Sequence, residues 1–298
     1  MKPSIYALGK TKSALSSVFL SVKGDKAQWC SRLIVLEGPK PLELASFNEG
    51  SFPVEVWELL LAGSMSLTEA IGHDFPNAWR ESPVTDWLPV TNDGASYGKA
   101  FKALKHLVST DSPRNYGTMI QCEGNRICAT DGFRLSYFEL PTLTPMGFPA
   151  FGLPLALKLL KGSSSIQVSQ DGSMIRLCAG HWTAYFRAPA VKFPNYQSVL
   201  PANTKPLALE AAKAAIEQSE PKAKIYSKEP AKHTKANFTE VRTEEGPIYF
   251  NPCFFRELKG FDSFSFTDSK GPLKATKGNQ TYIVVPVKLP EPKQSASA

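Results

Sequence analysis

Four histidines, five cysteines and two Asp-Gly turns are the first side chains in this sequence to invite a chemical role, and their spacing assigns none. His73, His106, His181 and His233 never fall at metal-ligand spacing, and no His-Glu-x-x-His or Gly-x-Ser-x-Gly arrangement occurs. Gly9-Lys10-Thr11 has the ending of a phosphate-binding loop, but Ser4 stands where that loop requires its first glycine. The cysteines (30, 122, 128, 178 and 253) are odd in number and never spaced Cys-x-x-Cys, a pattern of free thiols in a reducing compartment. Asp131-Gly132 and Asp171-Gly172 read as hairpin turns, in which glycine supplies a positive φ. Asn237 and Asn279 head glycosylation sequons that matter only in a secreted chain. No catalytic residue, metal or cofactor is expected. Basic side chains recur on two candidate helices, Lys99, Lys102 and Lys105 on one and Lys158 and Lys161, three apart, on the other.

The elements that position these lysines follow from periodicity. Over Tyr97–Val108, residues Phe101, Leu104, Leu107 and Val108 fall on one helical face, with the lysines elsewhere. Strands are predicted at 117–122, 126–129 and 135–139. A second helix over Leu153–Lys161 has proline in its first turn and Gly162 past its end. Strands at 166–168, 174–178 and 182–186 complete an α+β unit of helix, hairpins, helix, hairpins. Further on, helices are predicted at 207–218 and 252–259, and strands at 248–250, 263–267 and 281–287. The stretch 219–247 shows little periodicity, and a Lys/Gly-rich connection separates the last two strands. The N-terminal part offers apolar runs at 15–22 and 33–36 and a helix at 53–62. Phe75-Pro76-Asn77 is echoed by Phe193-Pro194-Asn195, each before a proline-punctuated stretch (Pro83 to Pro89, Pro201 to Pro206) that reads as a linker.

With 298 residues, 42% hydrophobic and 20% charged, the chain is long enough for two or three domains with real cores. Its apolar runs are too short to span a membrane, and no secretory signal opens it, so a cytoplasmic location is expected. The net charge of +7 is uneven. Residues 1–87 hold 8 Lys/Arg against 10 Asp/Glu (−2), residues 88–200 hold 11 against 6 (+5), and residues 201–298 hold 15 against 11 (+4). The basic excess favours polyanionic partners.

Three segments, in order, carry a family resemblance: Ile127-Cys128-Ala129-Thr130-Asp131-Gly132-Phe133-Arg134-Leu135, Lys192-Phe193-Pro194-Asn195-Tyr196-Gln197-Ser198-Val199-Leu200-Pro201, and Tyr282-Ile283-Val284-Val285-Pro286-Val287-Lys288-Leu289. Together they resemble the bacterial DNA sliding clamp, the DNA polymerase III β subunit, and mark a short, divergent relative. The resemblance implies an α+β fold of repeated clamp-type domains, with helices lining a channel and antiparallel sheets outside. The domains would be 1–86 (N-terminal), 87–200 (central) and 201–289 (C-terminal), the first and last shortened, with a disordered tail at 290–298. It also implies a hydrophobic pocket for partner peptides. Thr130, Gly132, Phe133, Arg134 and Leu135 would form one wall, and Pro194, Ser198 and Val199 another. Ile283, Val284, Val285, Pro286, Val287 and Leu289 would complete it. Lys99, Lys102, Lys105, Arg114, Lys158 and Lys161 would face DNA.

Two positions depart from the family pattern. Phe133 stands where clamps usually carry histidine or another polar residue, and Ser198 where arginine is common. The basic balance departs too, because clamps of this family are usually acidic overall. The implied function is non-enzymatic: a processivity factor that encircles double-stranded DNA as a homodimer ring and tethers DNA polymerase and other proteins carrying clamp-binding peptides. A clamp loader is an expected partner. The alternatives are a non-ring module that captures clamp-binding peptides as a decoy or regulator, and a basic protein that binds duplex DNA side-on.

Overall fold

The computed structural model describes residues 19–30, 34–40, 49–53, 84–228 and 237–287. In chain order the strands are β1 (Phe19–Lys23), β2 (Lys26–Cys30), β3 (Ile34–Pro39), β4 (Glu49–Pro53) and β5 (Trp87–Thr91). Helix α1 (Gly94–Leu104) follows, then β6 (Met119–Glu123), β7 (Arg126–Thr130), β8 (Arg134–Glu139) and β9 (Met146–Pro149). Helix α2 (Leu153–Leu159) leads to β10 (Ser164–Ser169), β11 (Met174–Ala179) and β12 (Trp182–Arg187). The rest comprises β13 (Lys205–Leu207), α3 (Leu209–Lys228), β14 (Thr239–Thr243), β15 (Gly246–Phe250), α4 (Pro252–Phe255), β16 (Ser263–Phe266), β17 (Leu273–Lys277) and β18 (Gln280–Val284). This is an α+β fold of antiparallel sheets and few helices. The predicted helix at 53–62, the Phe75-Pro76-Asn77 echo, Gly9–Thr11 and the tail at 290–298 lie outside the described residues, apart from Pro53, which ends β4.

The chain divides into two compact units. The first, 1–127 with 140–192, contains an eight-stranded antiparallel sheet ordered β4-β1-β2-β3-β12-β11-β10-β5. Strand alternation turns Ile166, Val168, Ile175, Leu177, Ala184 and Phe186 to one buried face. Helices α1 and α2 pack on each other and against this sheet. Phe101 meets Phe148 at 4.9 Å between centroids, and Phe148 meets Phe186 at 5.2 Å, joining helix and sheet through one aromatic row. Asp93 caps α1 by accepting from the Ser96 amide at 3.0 Å, and the Ser96 hydroxyl first, then this amide, draw its carboxyl below the ordinary range. Gly98 lets the two helices meet: a Cβ there would lie 2.5 Å from the Leu160 carbonyl oxygen.

The second unit, 128–139 with 193–298, holds the antiparallel ladder β13-β16-β17-β18-β8 and the hairpin β14–β15. Helix α3 buries Ala212, Ala215, Ile216, Ser219 and Ala223, spaced to form one stripe, and packs on α4 and β14.

Four expectations need correction. Residues 219–228 are helical, not aperiodic, because α3 continues through Pro221 at an exposed position. The stretch up to 247 also contains β14. The Lys/Gly-rich connection holds β17, where Leu273 and Ala275 are buried and Lys274 and Thr276 alternate with them. Both proline-rich linkers contain strands. Pro89 sits in β5 and Pro206 in β13, each at the edge of its sheet order, where the missing N–H is tolerated.

Candidate peptide pocket and basic helices

The described residues expected to line a pocket all belong to the second unit. Asp131 builds the turn before β8. Its Oδ1 accepts from the Phe133 and Arg134 amides at 2.9 and 3.0 Å, while Gly132 adopts φ +88°. The Thr130 hydroxyl donates to the Arg134 carbonyl at 2.7 Å and accepts from the Gly132 amide at 3.0 Å. The turn is therefore closed by side chains, and it holds Phe133 outward at 50% exposure.

Strand β18 pairs with β8 so that Ile283 opposes Leu135 and Val284 opposes Arg134. The ladder ends there, sooner than the predicted strand to 287. Val285 donates to the Phe133 carbonyl at 3.0 Å, and Val287 donates to the Tyr249 carbonyl at 2.7 Å. Residues 285–287 thus run from the turn toward β15, with Val285 exposed and Pro286 and Val287 half-buried. Thr130, Leu135, Ile283 and Val284 are buried and support this surface from within. Leu289 lies outside the described residues.

Pro194, Ser198 and Val199 share an exposed turn whose Phe193 and Tyr196 rings are buried and meet edge-on at 6.1 Å. The Ser198 hydroxyl donates to the Asn195 carbonyl at 2.8 Å. Among the described residues, six large apolar side chains are exposed, and three of them (Phe133, Val199 and Val285) are predicted pocket residues of this one unit.

Two residues that sequence reasoning missed stand on and after α4. Asn251 caps this helix by accepting from the Cys253 amide at 2.9 Å, which aims Phe254 at the turn. The Phe254 ring stacks on Phe133 at 6.2 Å between centroids and 26° between planes. The Arg134 guanidinium lies 4.3 Å from the Phe254 centroid. One helical turn later, Glu257 accepts from Arg134 Nη1 at 2.5 Å and from the Tyr282 hydroxyl at 2.9 Å. Asp131 Oδ2 accepts from Arg134 Nε at 2.7 Å. Burial opposes the Arg134 charge, but Tyr282, Glu257 and Asp131 outweigh it and raise its pKa above the ordinary value. Burial pushes the Tyr282 hydroxyl up, against the pull of Arg134. The available signal was the spacing of Phe254 and Glu257, three apart after an Asn-Pro helix start.

The predicted DNA-facing residues all lie in the first unit. Lys99, Lys102 and Lys105 are exposed, with Phe101, Leu104 and Leu107 buried on the opposite side. Lys158 and Lys161 are exposed as well, but α2 ends at Leu159, so Lys161 lies beyond the helix rather than on its face. Arg114 is half-buried, and its carbonyl accepts from the Ser112 hydroxyl and the Gly117 amide. Among the described residues none of these five lysines is in an ion pair. Among the described side chains of α3, which run to Ala223, the exposed Glu210, Glu217 and Glu220 outnumber the exposed Lys213.

No protein-family model matches the sequence, and no curated protein matches it significantly. Solved structures do. The Caulobacter crescentus β sliding clamp aligns with a TM-score of 0.66 at 18% identity, covering 95% of this chain and 96% of that one. The Helicobacter pylori β clamp, solved bound to a DNA ligase peptide, gives 0.64 at 18% identity over 94% of each chain. The DNA polymerase III β subunit of Thermotoga maritima gives 0.64 at 16%, covering 94% and 93%. At these identities the likeness speaks for the path of the chain, and it runs nearly end to end. The protein has the fold of the bacterial DNA sliding clamp.

Proposed function

We propose that this chain is a divergent sliding clamp, a non-enzymatic, cytoplasmic processivity factor that encircles duplex DNA and tethers replication proteins through its peptide pocket. The observation that carries the reading is the end-to-end clamp fold, with exposed Phe133, Val199 and Val285 falling where the resemblance puts a pocket. Three domains, 1–86, 87–200 and 201–289, are the plan behind it. Lys99, Lys102, Lys105, Lys158 and Lys161 supply the phosphate attraction, with Arg114 beside them. Retention on a ring is topological, so weak, sequence-independent contacts suffice. Partners on this reading are a polymerase, other proteins with clamp-binding peptides, a second copy of the chain and a clamp loader.

A specific observation favours the non-ring, peptide-capturing alternative. From β5 to β12 the element order is β5-α1-β6-β7-β8-β9-α2-β10-β11-β12. From β13 to β18 it is β13-α3-β14-β15-α4-β16-β17-β18, two strands fewer among the described residues. A shortened last domain offers less edge for a head-to-tail partner. Light scattering on the purified protein decides between them. A dimer is the expected result for the ring, and a monomer at all accessible concentrations excludes it.

A further inference from the structure

The outer face of the first unit's sheet carries a cation that no described carboxylate answers. Strand alternation sends Ile175, Leu177, Ala184 and Phe186 to the buried face, on which α1 and α2 pack. Gln167, Arg176 and Tyr185 are direct neighbours across β10, β11 and β12, and so share the opposite face. Arg176 Nε donates to Gln167 Oε1 at 2.6 Å, and the guanidinium carbon lies 4.5 Å from the Trp87 ring centroid. Trp87 in turn meets Tyr185 at 6.0 Å between centroids, and the Tyr185 hydroxyl lies beside the guanidinium. All four residues are half-buried. Among the described residues none forms an ion pair with Arg176. Glu37, on the same face of β3, is taken by Lys26 at 2.9 Å and Gln28 at 3.2 Å. With one donor on a neutral amide and its plane held by an indole, the Arg176 fork keeps donors for an oxyanion.

We propose that Trp87, Arg176 and Tyr185 form a docking site for an acidic segment of a partner protein. A Glu or Asp side chain sits on the Arg176 fork, and an aliphatic neighbour packs on Trp87 and Tyr185. Tryptophan, tyrosine and arginine are the residue types that anchor protein interfaces. The site shares no residue with the candidate peptide pocket, and the lysines of α1 belong to the helical side of the sheet. A single fixed guanidinium flanked by aromatic rings favours a peptide carboxylate over nucleic acid, whose affinity comes from many phosphate contacts. Asp171, exposed and bonded to Ser169, the partner of Trp87 in the ladder, also disfavours a polyanion. Arg187, exposed two residues beyond Tyr185 on the same face, adds attraction for an acidic segment.

The test is an NMR titration of the isotope-labelled full chain with two capped hexapeptides, Gly-Glu-Leu-Leu-Glu-Gly and its counterpart with glutamine for both glutamates. The readouts are the Arg176 Nε–H and Trp87 indole N–H signals, which report this site alone. The Glu peptide is expected to shift both signals and to bind there about tenfold more tightly than the Gln peptide. Arg176→Gln is expected to erase that difference, with an otherwise unchanged backbone amide spectrum. Arg187→Gln is expected to weaken the Glu peptide by only about twofold. A loss from Arg187→Gln as large as that from Arg176→Gln makes the attraction diffuse and overturns the site. Equal affinity for the two peptides, or no shift with either, also overturns it. A short DNA duplex that moves the same signals at lower concentration than the Glu peptide overturns it in favour of nucleic acid.

Discussion

Phe133 does two jobs through one turn. Its ring stacks on Phe254, and its carbonyl holds the Val285 amide, so a side chain half open to water is fixed in place from both ends. An exposed anchor of this kind contributes to binding more than to folding. Phe133→Asp and Val285→Asp are each expected to lower affinity for an apolar-anchored peptide by about tenfold or more. Their unfolding free energies should shift by about 1 kcal/mol or less, because neither side chain is in the core. Denaturant melts and anisotropy on the same samples check both statements. Asp171 offers a separate test of local geometry. The Ser169 hydroxyl first, then the Ser173 amide and hydroxyl, hold its carboxyl down to about 2 from an ordinary 3.8. Its folded pKa is depressed, so its contribution to stability is present above the ordinary value and is lost as pH falls toward 2. An NMR titration of that carboxyl is expected to find its midpoint near 2, and an ordinary midpoint contradicts the turn described here. At this scale the sequence showed the Thr-Asp-Gly turn and the apolar C-terminal segment. It did not show Phe254 or Glu257, because Glu257 meets Arg134 across 123 residues of chain and no local pattern reports such a pairing.

Helix α1 was legible because a buried stripe of Phe101, Leu104 and Leu107 imposes a period that lysines on the other side do not obscure. The strands β5 and β13 were hidden by Pro89 and Pro206, whose residue type argues against a strand until its place at a sheet edge is known. The strand β17 was hidden by its lysines and its short length. Lys99 and Lys102 stand exposed on α1 and Lys105 just past its end, whereas among the described side chains of α3, which run to Ala223, exposed Glu210, Glu217 and Glu220 outnumber exposed Lys213. Duplex affinity is therefore expected to depend on α1. Replacing Lys99, Lys102 and Lys105 with glutamate should abolish measurable binding to short duplexes. Replacing them with glutamine should reduce the slope of log K against log salt by about 2 to 3. Lys213→Gln on α3 should leave both nearly unchanged, and an equal loss there contradicts this division of labour.

For the molecule as a whole, composition and three short segments were enough to indicate a clamp-type α+β fold, and the solved clamps align with almost the full chain at 16–18% identity. So low an identity with so complete an alignment follows from what the fold demands: alternating burial in the strands, a buried stripe on each helix and a few turns. A shortened last domain was expected from sequence, but which strands it keeps is not dictated by those patterns, so the order from β13 to β18, two strands fewer among the described residues, came from the structure. The central claim is that the protein is held on DNA by encirclement. Its most direct test is retention of the protein, loaded on closed circular duplex, before and after a single cut linearises the DNA. The ring account predicts that the complex survives salt on circles and is lost on cutting, as the protein slides off the free ends. Equal loss from circular and linear DNA as salt rises would contradict it and leave a phosphate-binding, peptide-capturing protein.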